Sequence, residues 1–233
     1  MNVLVWALVK SLVPLVILIL VLIAIPCIFI LLMRDRDSDR FQHPEEYATK
    51  GAEGERLLYL RLKELGVPEK QILRNVYIPT RNGTTEIDLL VVSRKGLLVF
   101  ECKNYHGNVY GDGNKVKWVQ YLGKKKSYFL SPVIQNRGHV KRLREYFSMM
   151  PSFPIIPFVA TVQYGNKAWK LKNIKPEDHV IRMKDFMEIY NNLPESEFMN
   201  QNINIVYSKL KPLERPDDSV RQAHIEQIKN RKY

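Results

Sequence analysis

The segment Thr85–His106, TEIDLLVVSRKGLLVFECKNYH, decides the fold. Its two apolar runs, Ile87–Val92 and Leu97–Phe100, predict two β-strands joined by the short connection SRKG. Charged side chains lie inside or just after these runs, where burial is costly unless a charge is paired or binds a metal ion. The hairpin therefore predicts either a buried ion pair or a site with chemistry. The charged residues are Asp88, Glu101 and Lys103.

The spacing of these three residues can bring them to one face. Glu101 and Lys103 are two residues apart, so on a strand their side chains point the same way. If the loop closes with two or four residues, Asp88 lies opposite Glu101, with Cβ atoms ~5 Å apart. A three-residue loop would shift the register by one and turn Asp88 away. A catalytic site therefore requires an even register or a compensating bulge.

Such a patch has the chemistry of a divalent cation site. Neighbouring carboxylates repel each other unless a cation lies between them, and hard oxygen ligands suit Mg²⁺ or Mn²⁺. A nearby lysine can orient an attacking water and stabilise charge that develops on a phosphate. The alternative is a structural ion pair of Asp88 or Glu101 with Lys103. This spacing alone does not separate the two interpretations.

Composition favours a polyanionic partner. The chain has 233 residues, enough for one globular domain with appendages, and a net charge of +12. Because Lys10 is the only charged side chain before Arg34, residues 34–233 carry +11. That excess favours nucleic acid or an anionic lipid surface, with a solvated basic surface as the alternative. Of the two cysteines, Cys27 lies in an apolar run and Cys102 between Glu101 and Lys103, so we expect no disulfide. No Cys/His spacing typical of a zinc module occurs.

The N-terminal region predicts a membrane anchor. Leu12–Met33 contains no charged residue and would form a helix of roughly 33 Å, enough to cross a bilayer. A cleaved signal peptide is the competing interpretation, but its apolar core is usually only about 7–15 residues long. Arginines at positions 34, 36 and 40 place the C-terminal side in the cytoplasm. We therefore expect a single-pass protein of the cell membrane, with residues 1–33 as anchor and 34–47 as a polar linker.

Secondary-structure patterns predict an α/β (α+β) domain. Gly51–Leu65 has the leucine stripe of an amphipathic helix, and Glu55 lies near its N-terminus. Strands are expected at Ile72–Ile78 and Phe158–Val162, on either side of a helix that runs from Gln135 to Phe147. This order predicts a mixed β-sheet flanked by helices. We assign residues 48–193 to the domain and 194–233 to a C-terminal tail that is helical near its start and mostly polar beyond.

Several motifs in succession resemble one known family. The order GAEGE, TEIDLLVVSRKGLLVFECKNYHGNVYG, a tryptophan, then SPVIQNRGHVKRL resembles the NERD (nuclease-related) domain over about Gly51–Phe147. That family is similar to the PD-(D/E)xK nucleases, whose Asp…Glu-x-Lys core the hairpin matches. Ser131 stands where the family usually has Asn. The resemblance implies a restriction-endonuclease-like fold with one Mg²⁺ (or Mn²⁺) site. The implied site residues are Glu55, Asp88, Glu101, Lys103 and Gln135.

Other polar residues near these motifs have simpler interpretations. Gln135, His139 and Arg142 share one helix face, and for the last two we expect a solvated polar surface. His106 is left out of the catalytic set because a single loop histidine is usually incidental. The lysines at 124–126, beside Tyr121, Tyr128 and Phe129, combine cations with aromatic rings. That mixture is typical of nucleic-acid grooves and also of basic loops at a membrane surface.

Our leading hypothesis is a membrane-anchored, cytoplasm-facing, metal-dependent nuclease that hydrolyses phosphodiester bonds, with DNA favoured over RNA. Asp88 and Glu101 would bind the metal, and Glu55 would complete its shell. Lys103 would position the hydroxide, and Gln135 would orient water or a phosphate oxygen. The alternatives are a catalytically silent module that binds nucleic acid or protein, and a basic face that contacts lipid.

Overall fold

The computed structural model describes residues 49–105, 107–161 and 169–230, together with helical residues at positions 13, 17 and 20–26. The chain divides into two compact units, Met1–Thr49 and Lys50–Tyr233. The predicted membrane span, residues 12–33, lies largely outside the described residues. In the described part of the chain, no helix is both long and apolar enough to cross a membrane.

The second unit is built from strands and helices, which we number in chain order. The strands are β1 (Ile72–Thr80), β2 (Gly83–Ser93), β3 (Gly96–Lys103), β4 (Asn108–Asp112), β5 (Lys117–Leu122), β6 (Lys125–Leu130), β7 (Ile155–Thr161), β8 (Trp169–Lys172) and β9 (Val180–Arg182). The helices are α1 (Lys50–Glu64), α2 (Pro132–Tyr146), α3 (Phe186–Asn192), α4 (Glu197–Leu210) and α5 (Asp218–Asn230). Short 3₁₀ turns occur at Glu69–Gln71, Pro176–Asp178, Met183–Asp185 and Lys211–Leu213.

The strands form two mixed sheets. The larger has the order β1-β2-β3-β7-β9, in which β1, β2 and β3 are antiparallel neighbours, and β7 and β9 add in parallel. The smaller has the order β6-β5-β4-β8, with β8 parallel to β4. A mixed α/β architecture, as the sequence predicts, is therefore present.

The central hairpin closes with a two-residue loop. Ser93 pairs with Gly96, so the loop consists of Arg94 and Lys95. Gly96 has a φ of +144°, and a Cβ there would approach the Pro154 carbonyl oxygen to 2.7 Å. Glycine thus permits both the turn and the close passage of the segment before β7. The even register that a catalytic site requires is the register observed.

Both faces of the larger sheet are buried, which explains why its central strands are continuously apolar. On β3, Leu97 and Val99 contribute to a core shared with α2 and α4. Leu98 and Phe100 contribute to the opposite core, shared with α1 and α3. A third cluster, with Trp118 at its centre, fills the space beneath the smaller sheet.

The C-terminal residues belong to the same compact unit as the sheet. Met199, Val206 and Leu210 of α4 are fully buried in the core that α2 covers. In α5, the Gln227 amide exchanges two hydrogen bonds with the backbone of Thr84, at 2.9 and 3.2 Å. The segment that we assign to a tail from sequence therefore packs against the sheet.

Two other elements differ from the sequence expectation. Helix α2 begins at Pro132, three residues before Gln135, because the Ser131 hydroxyl caps the free amide of Ile134. Strand β8, which the sequence analysis did not predict, is only four residues long. It joins the smaller sheet by parallel pairing with β4, a strand that lies far from it in the sequence.

Candidate active site at the end of the central hairpin

Asp88 and Glu101 lie side by side where β2 and β3 separate. The regular pairing of the strands extends to Leu89 and Phe100, the residues adjacent to these acids. Beyond it, the backbone N–H of Cys102 donates to Asp88 Oδ2 at 2.7 Å, so a carboxylate takes a strand hydrogen bond. Lys103 Nζ donates to Glu101 Oε1 at 2.6 Å. The structure thus brings together the three charged residues of the hairpin.

Glu101 has a second partner that the sequence analysis missed. Its Oε2 lies 3.1 Å from His139 Nε2, and His139 Nδ1 lies 3.2 Å from the Thr85 hydroxyl. Glu101 is only 2% exposed and His139 8%. The expected solvated role of His139 is therefore wrong. The available signal was its position one helical turn after Gln135, which turns both side chains to the same side.

Helix α2 is held to the sheet by a buried asparagine. Asn136 Nδ2 donates to the carbonyl oxygens of Val99 and Phe158, at 2.9 and 3.0 Å. These acceptors belong to the neighbouring strands β3 and β7, so one side chain fixes the helix against both. His139 follows three residues later and is thereby directed at Glu101. Gln135 is half-buried in the same region of the helix, four residues before His139.

Glu55 approaches from the other side of the sheet on α1. Its Oε2 accepts a hydrogen bond from Asn75 Nδ2 at 3.1 Å, and the same amide lies 3.5 Å from Glu86 Oε1. The preceding Gly54 makes this approach possible, since a Cβ there would be 2.6 Å from the Cβ of Asn104. The two motifs G-x-x-G-E and E-x-K-N are therefore in direct contact.

Glu86 links this group of side chains to the C-terminal helix. Its Oε2 lies 3.8 Å from His224 Nε2, and His224 Nδ1 lies 3.0 Å from the Thr84 hydroxyl. The burial of Tyr77 and the nearby carboxylate of Glu86 raise the pKa of the Tyr77 phenol. His224 of α5 thus lies beside Glu86, the carboxylate next to Glu55.

The electrostatics of the group separate its carboxylates into two kinds. Burial, together with Glu101 and Glu55, raises the pKa of Asp88 well above its ordinary value. Burial also raises the pKa of Glu55, reinforced by Glu86 and Glu101. For Glu101, burial favours the neutral acid, but Lys103 and His139 outweigh it and lower the pKa. A cation would therefore relieve the repulsion at Asp88 and Glu55. The charge of Glu101 is already compensated by Lys103 and His139.

The lysine at the end of the hairpin is charged, whereas the neighbouring thiol is neutral. Burial disfavours the ammonium of Lys103, but Glu101 and Asp88 outweigh burial and raise its pKa. Lys103 is therefore a permanent cation at neutral pH. Burial raises the pKa of the Cys102 thiol well above its usual range, so this residue remains a neutral thiol. A buried, neutral thiol is a poor nucleophile.

The donor set fits a hard divalent cation in its chemistry. Asp88, Glu101 and Glu55 supply carboxylate oxygens, which Mg²⁺ and Mn²⁺ prefer. Within the described residues, no group of three or more His, Cys, Asp or Glu side chains is arranged closely enough to hold an ion. Both oxygens of Glu101 are instead hydrogen-bonded, to Lys103 and to His139.

Comparison with known proteins gives a family match for part of the chain. Residues 50–162 match the family model of the nuclease-related domain, NERD. A NERD domain is therefore found at these residues. The chain is also 27% identical to an uncharacterized protein of Bacillus anthracis over 186 residues, which cover 78% of this chain and 85% of that protein. No solved structure matches the chain.

The NERD domain contains all of the site residues and not all of the fold. Its matched range runs from the start of α1 to the end of β7. His139 and Asn136 also fall inside it, whereas β8, β9 and α3 to α5 lie beyond it. The helix that buries Met199 in the core is thus outside the matched NERD range.

Proposed function

We propose that this chain is a metal-dependent nuclease that hydrolyses phosphodiester bonds of nucleic acid, with DNA as the favoured substrate. The observation that carries the proposal is the meeting of Asp88, Glu101 and Lys103 at the end of the hairpin, with Glu55 beside them. Elevated pKa values of Asp88 and Glu55 support it, because such perturbation is typical of functional carboxylates.

The roles follow from the charges and contacts. Asp88, Glu101 and Glu55 would hold Mg²⁺ or Mn²⁺, which when bound supplies Lewis acidity at the phosphate and acidifies a water. The ammonium of Lys103 is fixed beside Glu101, where it can orient the attacking water and stabilise charge on the phosphate. His139 holds the second oxygen of Glu101, and Gln135 lies one turn before it to orient water or a phosphate oxygen.

We also propose a place in the cell for this activity. The uncharged stretch Leu12–Met33 supports a membrane anchor, and the arginines that follow it support a cytoplasmic C-terminal unit. The net charge of +11 over residues 34–233 supports a polyanionic substrate. Together these features support a nuclease tethered at the inner surface of the cell membrane.

One observation favours a second candidate, a catalytically silent module that binds nucleic acid or protein. Both oxygens of Glu101 already accept hydrogen bonds, from Lys103 and from His139. A buried carboxylate compensated in this way is stable without a metal ion. The two candidates differ in whether the cluster opens to a cation.

Cleavage by the full-length chain tests the proposal. Labelled single- and double-stranded DNA and RNA are incubated with the purified protein in Mg²⁺, Mn²⁺ or EDTA. We expect cleavage that requires the metal and falls at least about 100-fold in Lys103→Ala and in Asp88→Asn. Lys209→Ala, which removes an exposed lysine of α4, is the matched control and should cleave normally. Salt-sensitive binding without any product would establish the silent module instead.

A further inference from the structure

The smaller sheet has one face that its own core does not use. Alternate residues of β5, such as Trp118, turn inward to the third cluster, and the residues between them turn outward. Across the sheet, Tyr128 pairs with Val119, Val119 with Tyr110, and Tyr110 with Lys170. These four residues form one row on the outward face, because directly paired residues share a face.

A second row lies beside the first. Tyr121 of β5 pairs with Lys126 of β6 and with Asn108 of β4. Tyr121 is two residues from Val119, so its side chain is on the same outward face. The two rows together place three tyrosines and two lysines on one surface. We call this surface the tyrosine platform, and its members are Tyr110, Tyr121, Tyr128, Lys126 and Lys170.

The platform is exposed and internally organised. Tyr128 is 63% exposed and Tyr110 38%. The rings of Tyr110 and Tyr121 meet edge to face, with centroids 5.6 Å apart. Lys126 Nζ lies 4.9 Å from the ring centre of Tyr128 and 5.8 Å from that of Tyr121, and Lys170 Nζ lies 5.5 Å from that of Tyr110. Cations therefore stand directly beside each ring.

The charged side chains of the smaller sheet are almost all positive. Its strands carry lysines at positions 117, 125, 126, 170 and 172, and the single acidic residue in those strands is Asp112. Asp112 lies at one end of the sheet, 3.8 Å from Lys172. The tyrosine platform itself contains no acidic side chain, so its charge is complementary to a phosphate backbone.

Aromatic rings beside cations match one class of partner best. Unpaired nucleobases stack on aromatic side chains while lysines bind the intervening phosphates. The bases of a duplex are stacked on each other and offer their edges instead. Tyrosine and lysine also occur together at lipid surfaces, where insertion into the acyl region adds exposed aliphatic side chains. The platform has none, since Val119 between its tyrosines is half-buried. Leu122, 55% exposed, is the last residue of β5 and is not a member of the platform.

We propose that the tyrosine platform binds single-stranded nucleic acid by stacking unpaired bases on Tyr110, Tyr121 and Tyr128. The proposal rests on the proposed nuclease function, for which it names the strand state of the substrate. Tyr110 follows Lys103 by seven residues, so the platform begins within about 25 Å of the candidate active site. A strand that is held on the platform can therefore reach the hairpin end.

Binding in EDTA separates this proposal from catalysis. Fluorescence anisotropy of labelled 12-nucleotide DNA and RNA, each single-stranded or as a duplex, is measured with the full-length chain. We expect Tyr128→Ala and Tyr110→Ala each to weaken single-strand binding about tenfold while duplex binding changes less than twofold. Tyr128→Phe keeps the ring and should bind as the wild type does. Comparison of the DNA and RNA oligonucleotides shows which of the two nucleic acids the platform binds more tightly.

Leu122→Ala is the matched control on the same hairpin. It should leave oligonucleotide binding unchanged, because Leu122 is not part of the platform. Equal losses for single strand and duplex, or no loss in either tyrosine variant, would overturn the proposal. Single-strand binding that depends on the tyrosines, with no cleavage in Mg²⁺, would sustain the platform and refute the nuclease.

Discussion

At the scale of single residues, Glu101 is the centre of the site. A buried carboxylate needs compensation, and here a lysine and a histidine each bind one of its oxygens. Sequence reasoning identified the lysine because Glu-x-Lys lies within one strand. It missed His139 because this contact joins residues 38 positions apart and depends on how α2 is set against the sheet. Asn136, which sets the helix, has no signal in the sequence that could be recognised in isolation.

His139→Ala tests the contact with Glu101. Removing the imidazole leaves Glu101 Oε2 buried without its partner, so we expect a loss of about 1–3 kcal/mol in the free energy of unfolding. Urea denaturation at neutral pH measures it. Arg142→Ala is the control from the same helix. Arg142 bonds only Glu145 on the surface, and its removal should change stability by less than about 0.5 kcal/mol. Equal effects of the two substitutions would contradict a buried role for His139.

Asp88 gives the site a pH dependence of definite sign. Its pKa in the folded state is raised above the unfolded value of about 3.9. The stability that it contributes is therefore full below about pH 4 and is lost as the pH rises through the folded-state pKa. Glu55 acts in the same direction, since its pKa is also raised. Burial of these carboxylates, together with repulsion among them, thus weakens the protein at neutral and alkaline pH when no cation is bound.

Asp88→Asn should remove the loss of stability at high pH that Asp88 causes. The substitution keeps a side-chain oxygen that can accept the hydrogen bond from the Cys102 N–H. In EDTA, we expect the variant to be more stable than the wild type at pH 8 and similar at pH 4. The difference at pH 8 is about 1.4 kcal/mol for each unit by which the pKa is raised. Urea denaturation at the two pH values measures it. A variant that is no more stable than the wild type at pH 8 would refute the destabilising effect of the ionised Asp88 carboxylate.

At the scale of elements, the site is an intersection of α1, the β2–β3 hairpin and α2. The sequence predicted each of these elements, because their apolar patterns are strong, but it left the register of the hairpin open. The structure decides it, since Ser93 pairs with Gly96. The contact between α1 and the end of β3 was implied only by the family motifs. The structure gives it a physical basis in the close approach of Gly54 and Asn104.

Gly54→Ala tests that approach. A methyl group would meet the Asn104 Cβ at 2.6 Å and displace α1, which carries Glu55. We expect overpacking of about 1–3 kcal/mol to exceed the gain in helix propensity of about 1 kcal/mol. Thermal denaturation would show a lower midpoint, and a nuclease assay reduced cleavage.

Gly138→Ala is the matched helical control for this change. A Cβ at position 138 of α2 would meet no other described atom within 4 Å. This variant should therefore gain up to about 1 kcal/mol in stability and cleave normally. Stabilisation of both variants would contradict a tight contact between the two motifs.

At the scale of the whole molecule, the fold extends beyond its recognisable part. Residues 50–162 match the NERD domain, yet α4 contributes to the core and α5 contacts the first residues of β2. The sequence analysis placed both helices in a C-terminal tail, predicting a helix near its start and a mostly polar segment beyond. Their positions depend on tertiary contacts that local patterns do not encode. The mixed sheet and the acidic site, by contrast, follow from local patterns and motif order.

We propose that the carboxylates at the hairpin end bind a divalent cation. Electron paramagnetic resonance of Mn²⁺ titrated into the full-length chain at pH 7.5 tests it most directly, since free and bound Mn²⁺ give distinct signals. We predict one saturable site, lost in Asp88→Asn and retained in Glu145→Gln, whose altered side chain is on the surface. Mn²⁺ binding of equal strength in the wild type and Asp88→Asn, or none in either, would contradict the account.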